Sequence, residues 1–212
     1  MKICVTAGPT REFIDPVRFI SSPSSGKMGY FLAQEMLKQG HEVTLISGPV
    51  SLKKPTGIIV KYVQTAKEMR DQVVKGIANF DVLVMTAAVC DYSLPEIHTN
   101  KIKKNDSELV LSLVENPDIL KEVSKVDHDA YVVGFAAESE DLIENARKKM
   151  FEKKLNMIVA NDITQKETGF ASDDFEGFIL RSDGSLENIA KCSKSIASKC
   201  ILKAICEDIC ES

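Results

Sequence analysis

Short, nearly continuous apolar runs alternate along the chain with longer stretches in which apolar residues recur every three or four positions. The runs predict buried strands at 2–8 (KICVTAG), 42–48 (EVTLISG), 81–89 (DVLVMTAAV), 108–115 (ELVLSLVE), 130–138 (AYVVGFAAE) and 156–162 (NMIVAND). The 3.6-residue rhythm predicts helices at 26–40, 65–80, 117–126, 142–155 and 193–209. Thr65 with Glu68 reads as a capping box, and Pro117 as the first position of the third helix. FEGFILRSDGSLENI (175–189) reads as a hairpin turning on Ser182-Asp183-Gly184. Strands separated by helices of this length form βαβ units. The expected fold is therefore one three-layer α/β/α, Rossmann-like domain over 1–212, with a mostly parallel sheet and a C-terminal hairpin and helix.

Such sheets bind ligands beyond the carboxyl ends of their strands, which here read TAGPTRE, SGP, TAAVCDY, GFAAES and ANDI. One stretch near these ends, ISSPSSGKMG (20–29), has the look of a phosphate loop. It is not a P-loop, because methionine follows Lys27 and position 21 is serine. Nor does GPTREF after the first strand supply GxGxxG, and no Tyr-x-x-x-Lys pair occurs. What remains is a helix amino terminus at Gly26, whose free N–H groups suit an anion. Ser25 as a simple N-cap is the plainer alternative. Lys101, Lys103 and Lys104 lie in a loop beyond a strand end, and Lys148, Lys149, Lys153 and Lys154 crowd one helix. Together with the helix start they suit a polyphosphate.

Composition narrows the choice. A net charge of −4 gives no general attraction to nucleic acid or an anionic membrane, and no apolar run reaches the roughly 18 residues of a membrane span. The six cysteines show no CxxC and no regular framework, which points to reduced thiols and a cytoplasmic setting. His41, His98 and His128 stand in turn-like contexts, and no Ser-His-Asp or Cys-His arrangement is evident. Chemistry by positioning two reactants is therefore indicated over nucleophilic catalysis by a side chain.

Taken in order, TAGPTREFIDPVRFI, SSGKMG, TAAVCDY, KIKK, NPDIL, VGFAAES and the VANDI strand end resemble the phosphopantothenate–cysteine ligase (phosphopantothenoylcysteine synthetase) family over about residues 2–190. The resemblance implies a ligase of coenzyme A biosynthesis that joins 4′-phosphopantothenate and L-cysteine through an acyl-nucleotide. It uses CTP more readily than ATP as co-substrate, with Mg²⁺ on the phosphates. No sequence for a flavin-dependent decarboxylase half is present, so a free-standing form without FMN is expected.

Residue by residue, the resemblance implies that Lys101, Lys149 and Lys153 contact the nucleotide. Ser24, Ser25 and Gly26 hold phosphate, and Met85, Thr86, Ala87 and Asp91 form the nucleotide wall. Asn116, Pro117, Asp118, Ile119 and Phe135 enclose base and ribose, and Ala87, Ala88 and Asp91 also border the pantothenate arm. Arg18 reaches the substrate phosphate of the neighbouring subunit, which implies a homodimer. One departure stands out: Ser22 occupies the position of an asparagine associated with the acyl-nucleotide, so Lys101 and Ser22 are the expected catalytic positions. Serine offers one hydroxyl where the amide offers two donors and an acceptor. A non-catalytic nucleotide-binding homologue that has lost amide formation is the alternative this departure leaves open. The metal ligands are not legible in the sequence.

Overall fold

The computed structural model describes residues 1–104, 108–138, 141–162 and 172–211. In chain order the elements are β1 (Lys2–Ala7), β2 (Arg11–Asp15), β3 (Arg18–Ser21), α1 (Lys27–Lys38), β4 (Glu42–Ser47), β5 (Ile59–Tyr62), α2 (Ala66–Gly76), β6 (Val82–Met85), β7 (Tyr92–Ser93), β8 (Val114–Glu115), α3 (Ile119–Val123), β9 (Tyr131–Glu138), α4 (Leu142–Glu152), β10 (Met157–Asp162), β11 (Asp174–Arg181), β12 (Leu186–Ser193) and α5 (Lys194–Glu211). Among the described residues one eight-stranded sheet runs β12-β11-β10-β9-β6-β1-β4-β5. The strands from β5 through β10 pair in parallel, and β11 and β12 extend the sheet as an antiparallel hairpin. Counting the parallel strands alone gives the order 3-2-1-4-5-6, with its switch point between β1 and β6.

Alternation along each strand divides the core between the two faces of the sheet. Ile3, Val5 and Ala7 of β1 point toward α1 and α5, where Leu32, Met36, Ile201 and Ile205 meet them. Cys4, with Leu83 and Ile158, points toward Met69, Val73 and Val123 of α2 and α3. Burying one such aliphatic side chain stabilises the fold by about 1.5–3 kcal/mol. The expected three-layer architecture and terminal hairpin are present. Gly184 takes φ +90° in the hairpin turn, where its N–H donates to the Arg181 carbonyl at 2.9 Å.

Several local expectations are corrected. The stretch 108–115 is not a long strand: only Val114–Glu115 pairs, with Tyr92–Ser93, and Val110 is 84% exposed. Asp118, not Pro117, opens α3, because its carboxylate accepts the Lys121 N–H at 3.1 Å and makes the aspartate the N-cap. The capping box of α2 is half as expected. Thr65 Oγ1 accepts the Glu68 N–H at 3.1 Å, while the Glu68 carboxylate accepts from Gln64, at 2.7 Å, and not from Thr65. Gly26, in the left-handed region at φ +76°, is the N-cap of α1, so Ser25 is not. The last residues of the VGFAAES and VANDI motifs, at 139 and 163, lie outside the described residues.

The first turn of α1 approaches the sheet more closely than a side chain allows. A Cβ on Gly29 would stand 2.5 Å from Thr86 Oγ1, 2.6 Å from Ala7 Cβ and 2.9 Å from the Thr6 carbonyl. Alanine is the better helix former by about 1 kcal/mol, so any loss from Gly29→Ala measures the steric term. The expected outcome is a net destabilisation of about 1–3 kcal/mol, read from the denaturant midpoint; an unchanged or raised midpoint would show that the contact is not tight.

Candidate functional site

At the switch point, beyond the carboxyl ends of β1 and β6, lies a cavity of about 210 Å³. Its floor is the start of α1 from Ser24 to Gly29, and its walls are Thr86–Val89 after β6, Phe135–Ala137 of β9, Asn161, Phe175 and Lys194. The loop before α1 is folded on itself: Ser24 Oγ accepts the Gly26 N–H at 3.3 Å, and Ser25 Oγ lies 3.5 Å from the Lys27 nitrogen. Gly26 must be glycine for a second reason, since a Cβ there would stand 2.8 Å from Val50 and 3.2 Å from Gly8. Thr86 Oγ1 donates to the Thr6 carbonyl, and Thr6 Oγ1 accepts the Ala87 N–H at 3.2 Å, which locks the wall to β1. Serine hydroxyls, two lysines and a helix start thus share one small space with apolar walls.

The wall continues into an open lip. Ala88 bridges to Pro9, and Cys90 donates its N–H to Thr10 Oγ1 at 2.9 Å. Asn116 closes on this segment twice, through its N–H to the Asp91 carbonyl at 2.7 Å and through Nδ2 to the Cys90 carbonyl at 2.9 Å. Next to Asn116, Asp118 accepts Lys153 Nζ at 2.9 Å. Burial pushes the Asp118 pKa up, but the Lys153 ammonium and the Lys121 N–H more than offset it and hold the carboxyl below the usual range. Lys149 stands one turn earlier in the last turn of α4. Met85 and Ile119 are core residues, at 6% and 4% exposure, and neither lines the cavity.

Arg18 and Lys101 form a third group at the tip of the β2–β3 hairpin. The Asp15 carboxylate, without accessible surface, accepts the N–H groups of Val17 and Arg18 at 2.9 Å and that of Ile102 at 3.2 Å. The Arg18 guanidinium lies 3.5 Å from Asp15 and donates to the Ile102 carbonyl at 3.0 Å. One buried carboxylate therefore ties the arginine to the loop that carries exposed Lys101. Ser22 is half-buried where the hairpin returns toward α1. Sequence reading placed the two lysine groups and the helix start at one sheet edge; hydrogen bonds tie Asn116 to the Cys90–Asp91 lip and, separately, Arg18 to the loop that carries Lys101. Sequence reading did not single out Lys194, Asn161, Phe175 or Asp15. A lysine opening an amphipathic helix directly after a strand was the available signal for Lys194.

Among the described residues, the thiols of Cys90 and Cys4 are not activated as nucleophiles. Burial pushes the Cys90 thiol up, and it donates to the carbonyls of Thr10 and Ile20 at 3.5 and 3.8 Å; burial likewise pushes Cys4 up to about 12. No group of three or more metal-type side chains occurs among the described residues. A larger open concavity of about 1410 Å³ lies at the opposite rim, at the amino ends of the parallel strands, where Asp81, Asp127, Asp129, Asp183 and Asp208 make it a poor host for anions. No described helix is long and apolar enough to cross a membrane.

The fold is that of a doubly wound α/β domain, whose ligand crevice lies at the switch point, and a helix start there suits an anion. More specifically, the chain belongs to the family described as the DNA/pantothenate metabolism flavoprotein C-terminal domain, which matches residues 1–209. It is 43% identical to the coenzyme A biosynthesis bifunctional protein CoaBC of Vibrio vulnificus (strain CMCP6) over 206 residues, 96% of this chain and 51% of that protein. It is 42% identical to the Bacillus subtilis (strain 168) CoaBC, over 96% of this chain and 50% of that protein. The chain thus spans about half the length of these curated relatives. Among solved structures, the C-terminal domain of a CoaBC superposes with TM-score 0.85 at 36% identity, covering all of this chain and 96% of that one. The DNA/pantothenate metabolism flavoprotein from Streptococcus pneumoniae gives 0.82 at 25% identity, covering 97% of this chain and 98% of that one.

The Asp15 network has a definite pH signature. Burial raises its pKa, but the N–H groups of Val17, Ile102 and Arg18 and the Arg18 charge bring it below the ordinary 3.8. A lowered folded-state value means that the stabilisation is fully present above 3.8 and lost as pH falls through the lowered value. Protection of the Ile102 amide from hydrogen exchange, relative to its intrinsic rate, should therefore persist across neutral and mildly acidic pH and collapse only below 3.8. Loss of protection near neutrality would contradict the network.

Proposed function

We propose that the chain is a phosphopantothenate–cysteine ligase that activates the carboxylate of 4′-phosphopantothenate with a nucleoside triphosphate, preferentially CTP, and passes the acyl group to the amine of L-cysteine. The observation that carries this reading is that SSGKMG and TAAVCDY line one switch-point cavity while Asn116 of NPDIL hydrogen-bonds the TAAVCDY segment, in a chain of this family. A carboxylate is a poor electrophile and a mixed anhydride a good one, so two substitutions accomplish what one cannot. A carboxylate oxygen bonds to the α-phosphorus and pyrophosphate leaves with the P–O electron pair. The cysteine nitrogen then bonds to the acyl carbon, nucleoside monophosphate leaves with the linking oxygen, and the amine proton passes to solvent.

In this reading the backbone N–H groups at Ser24, Ser25 and Gly26 receive phosphate oxygens. Lys101, Lys149 and Lys153 offset the charge that grows as pyrophosphate departs. Asn116, Pro117, Asp118, Ile119 and Phe135 flank base and ribose, and Met85, Thr86, Ala87, Ala88 and Asp91 form the wall shared by nucleotide and pantothenate arm. Mg²⁺, when bound, neutralises and orients the triphosphate. The lack of a protein cluster of metal ligands among the described residues fits an ion held largely by phosphate oxygens and water. Ser22 supplies one hydroxyl, and a neighbouring group takes over the donor that an asparagine would have given.

A homodimer completes the proposed site. Val17 and Phe19 on the hairpin, and Tyr92, Val110 and Val114 on and beside β7 and β8, expose 57%, 41%, 50%, 84% and 45% of their surface. Patches of this kind mark association surfaces, and they flank Arg18, the residue proposed to reach the substrate phosphate of the partner. Six unpaired cysteines fit a reducing, cytoplasmic setting.

The test is pyrophosphate release with CTP or ATP, 4′-phosphopantothenate and cysteine. The parent should release pyrophosphate with CTP in preference to ATP, and Lys101→Gln should reduce that rate by at least about a hundredfold, roughly 2.7 kcal/mol of barrier. A silent parent would overturn the ligase assignment in favour of a non-catalytic nucleotide binder. A near-normal Lys101→Gln would overturn the role of that lysine.

A further inference from the structure

Two helices begin on the rim of the same cavity, and each begins with a lysine. Lys27 is the first residue of α1 and Lys194 the first of α5, and both line the space at the switch point. The geometry follows from topology. β12 is antiparallel to β11, which is antiparallel to β10, so α5 starts from the same carboxyl edge as α1, beside which it packs.

Neither lysine sits where stability alone would put it. A cation at a helix amino terminus opposes the helix dipole, and Lys194 is also buried, at 6% exposure. Loss of solvation lowers its pKa, and Lys27 lowers it further against the pull of Asp173 and Asp174. The next turns of α5, through Ala197 and Ile201, fill the core as apolar residues would. A short segment binds the two lysines together: Asp173 pairs with the Lys27 ammonium, its carbonyl accepts the Lys194 N–H at 2.9 Å, and the Ser172 carbonyl accepts Lys194 Nζ at 2.6 Å. The ammonium groups of Lys27 and Lys194 thus stand on one cavity rim, joined through residues 172 and 173. The Asp173 side chain is 77% exposed, and a solvent-exposed pair of this kind yields readily to a stronger anion. At about 210 Å³ the cavity is smaller than the roughly 300–1,000 Å³ that encloses a whole small-molecule ligand, so it fits one end of a ligand and not a nucleotide.

We propose that Lys194 is a positioning residue that clamps, together with Lys27, one phosphoryl group of a substrate in this cavity, and that Asp173 occupies Lys27 until that group displaces it. This rests on the ligase reading for the identity of the substrates. The phosphoryl group has two possible sources, the nucleoside triphosphate and 4′-phosphopantothenate.

The experiment measures calorimetric affinities of the intact protein for CTP, ATP, 4′-phosphopantothenate and inorganic pyrophosphate, with melting temperatures alongside. The variants are Lys194→Met, Lys194→Arg and Asp173→Asn. The expected result is that Lys194→Met weakens one phosphorylated ligand by about tenfold or more, equivalent to about 1.4 kcal/mol. Lys194→Arg should recover most of that affinity, and Asp173→Asn should tighten the same ligand. A loss confined to nucleotides and pyrophosphate assigns the clamp to the triphosphate, and a loss confined to 4′-phosphopantothenate assigns it to the acid substrate. Parental affinities in Lys194→Met overturn the proposal. So does a uniform loss that tracks a lowered melting temperature and is not recovered by arginine. A parent that binds these ligands but releases no pyrophosphate overturns the ligase reading and leaves the clamp standing.

Discussion

The first turn of α1 lies so close to the ends of β1 and β6 that no side chain fits between them, and the site is built on that approach. Gly29 brings the helix onto Thr6, Ala7 and Thr86, while Gly8 and Gly26, both with φ near +75°, turn the chain away and back beneath Val50. The strand order adds the other half of the constraint, because β1 and β6 send their connections to opposite faces and leave a crevice between them. A helix start driven into that crevice presents N–H groups to whatever enters. With a bulkier residue at position 29, the amides and Lys27 would shift away from the wall at Ala87 and Ala88.

Around this rigid centre, charge is managed by pairing. Asp118 holds Lys153, Asp15 holds Arg18 and the backbone of Ile102, and Asp173 holds Lys27. Each carboxylate keeps a cation in place at a rim that would otherwise repel its own members, and each pairing uses a residue close to solvent or to a loop. An arriving polyanion can take over Lys153 or Lys27 without leaving a deeply buried charge uncompensated, since the Asp118 and Asp173 side chains are 39% and 77% exposed. This is how a chain with net charge −4 offers a locally positive edge, while its excess carboxylates gather at the opposite rim of the sheet.

Much of this was legible in the sequence, and the misses have physical causes. β1, β4, β9 and β10 are buried on both faces and read as continuous apolar runs. The β2–β3 hairpin was not foreseen, because Arg11, Glu12, Asp15 and Arg18 interrupt its apolar pattern and its charges are satisfied only by tertiary partners. The run ELVLSLVE looked like a strand, yet most of it stands clear of the sheet with its apolar side chains exposed. Within the site, the motif residues at strand ends could be named, whereas Lys194 was masked by the helical rhythm of α5 and Asp15 by its place at the end of a charged strand. Tertiary proximity, which no spacing rule encodes, separates the two groups.

The central claim is that this crevice joins a carboxylate to the α-phosphate of a nucleotide before the amine attacks. Turnover of 4′-phosphopantothenate labelled with oxygen-18 in its carboxylate tests it directly, by mass spectrometry of the products. The account predicts one labelled oxygen in the nucleoside monophosphate and none in the pyrophosphate. Label in inorganic phosphate, or unlabelled nucleoside monophosphate alongside amide formation, would contradict it.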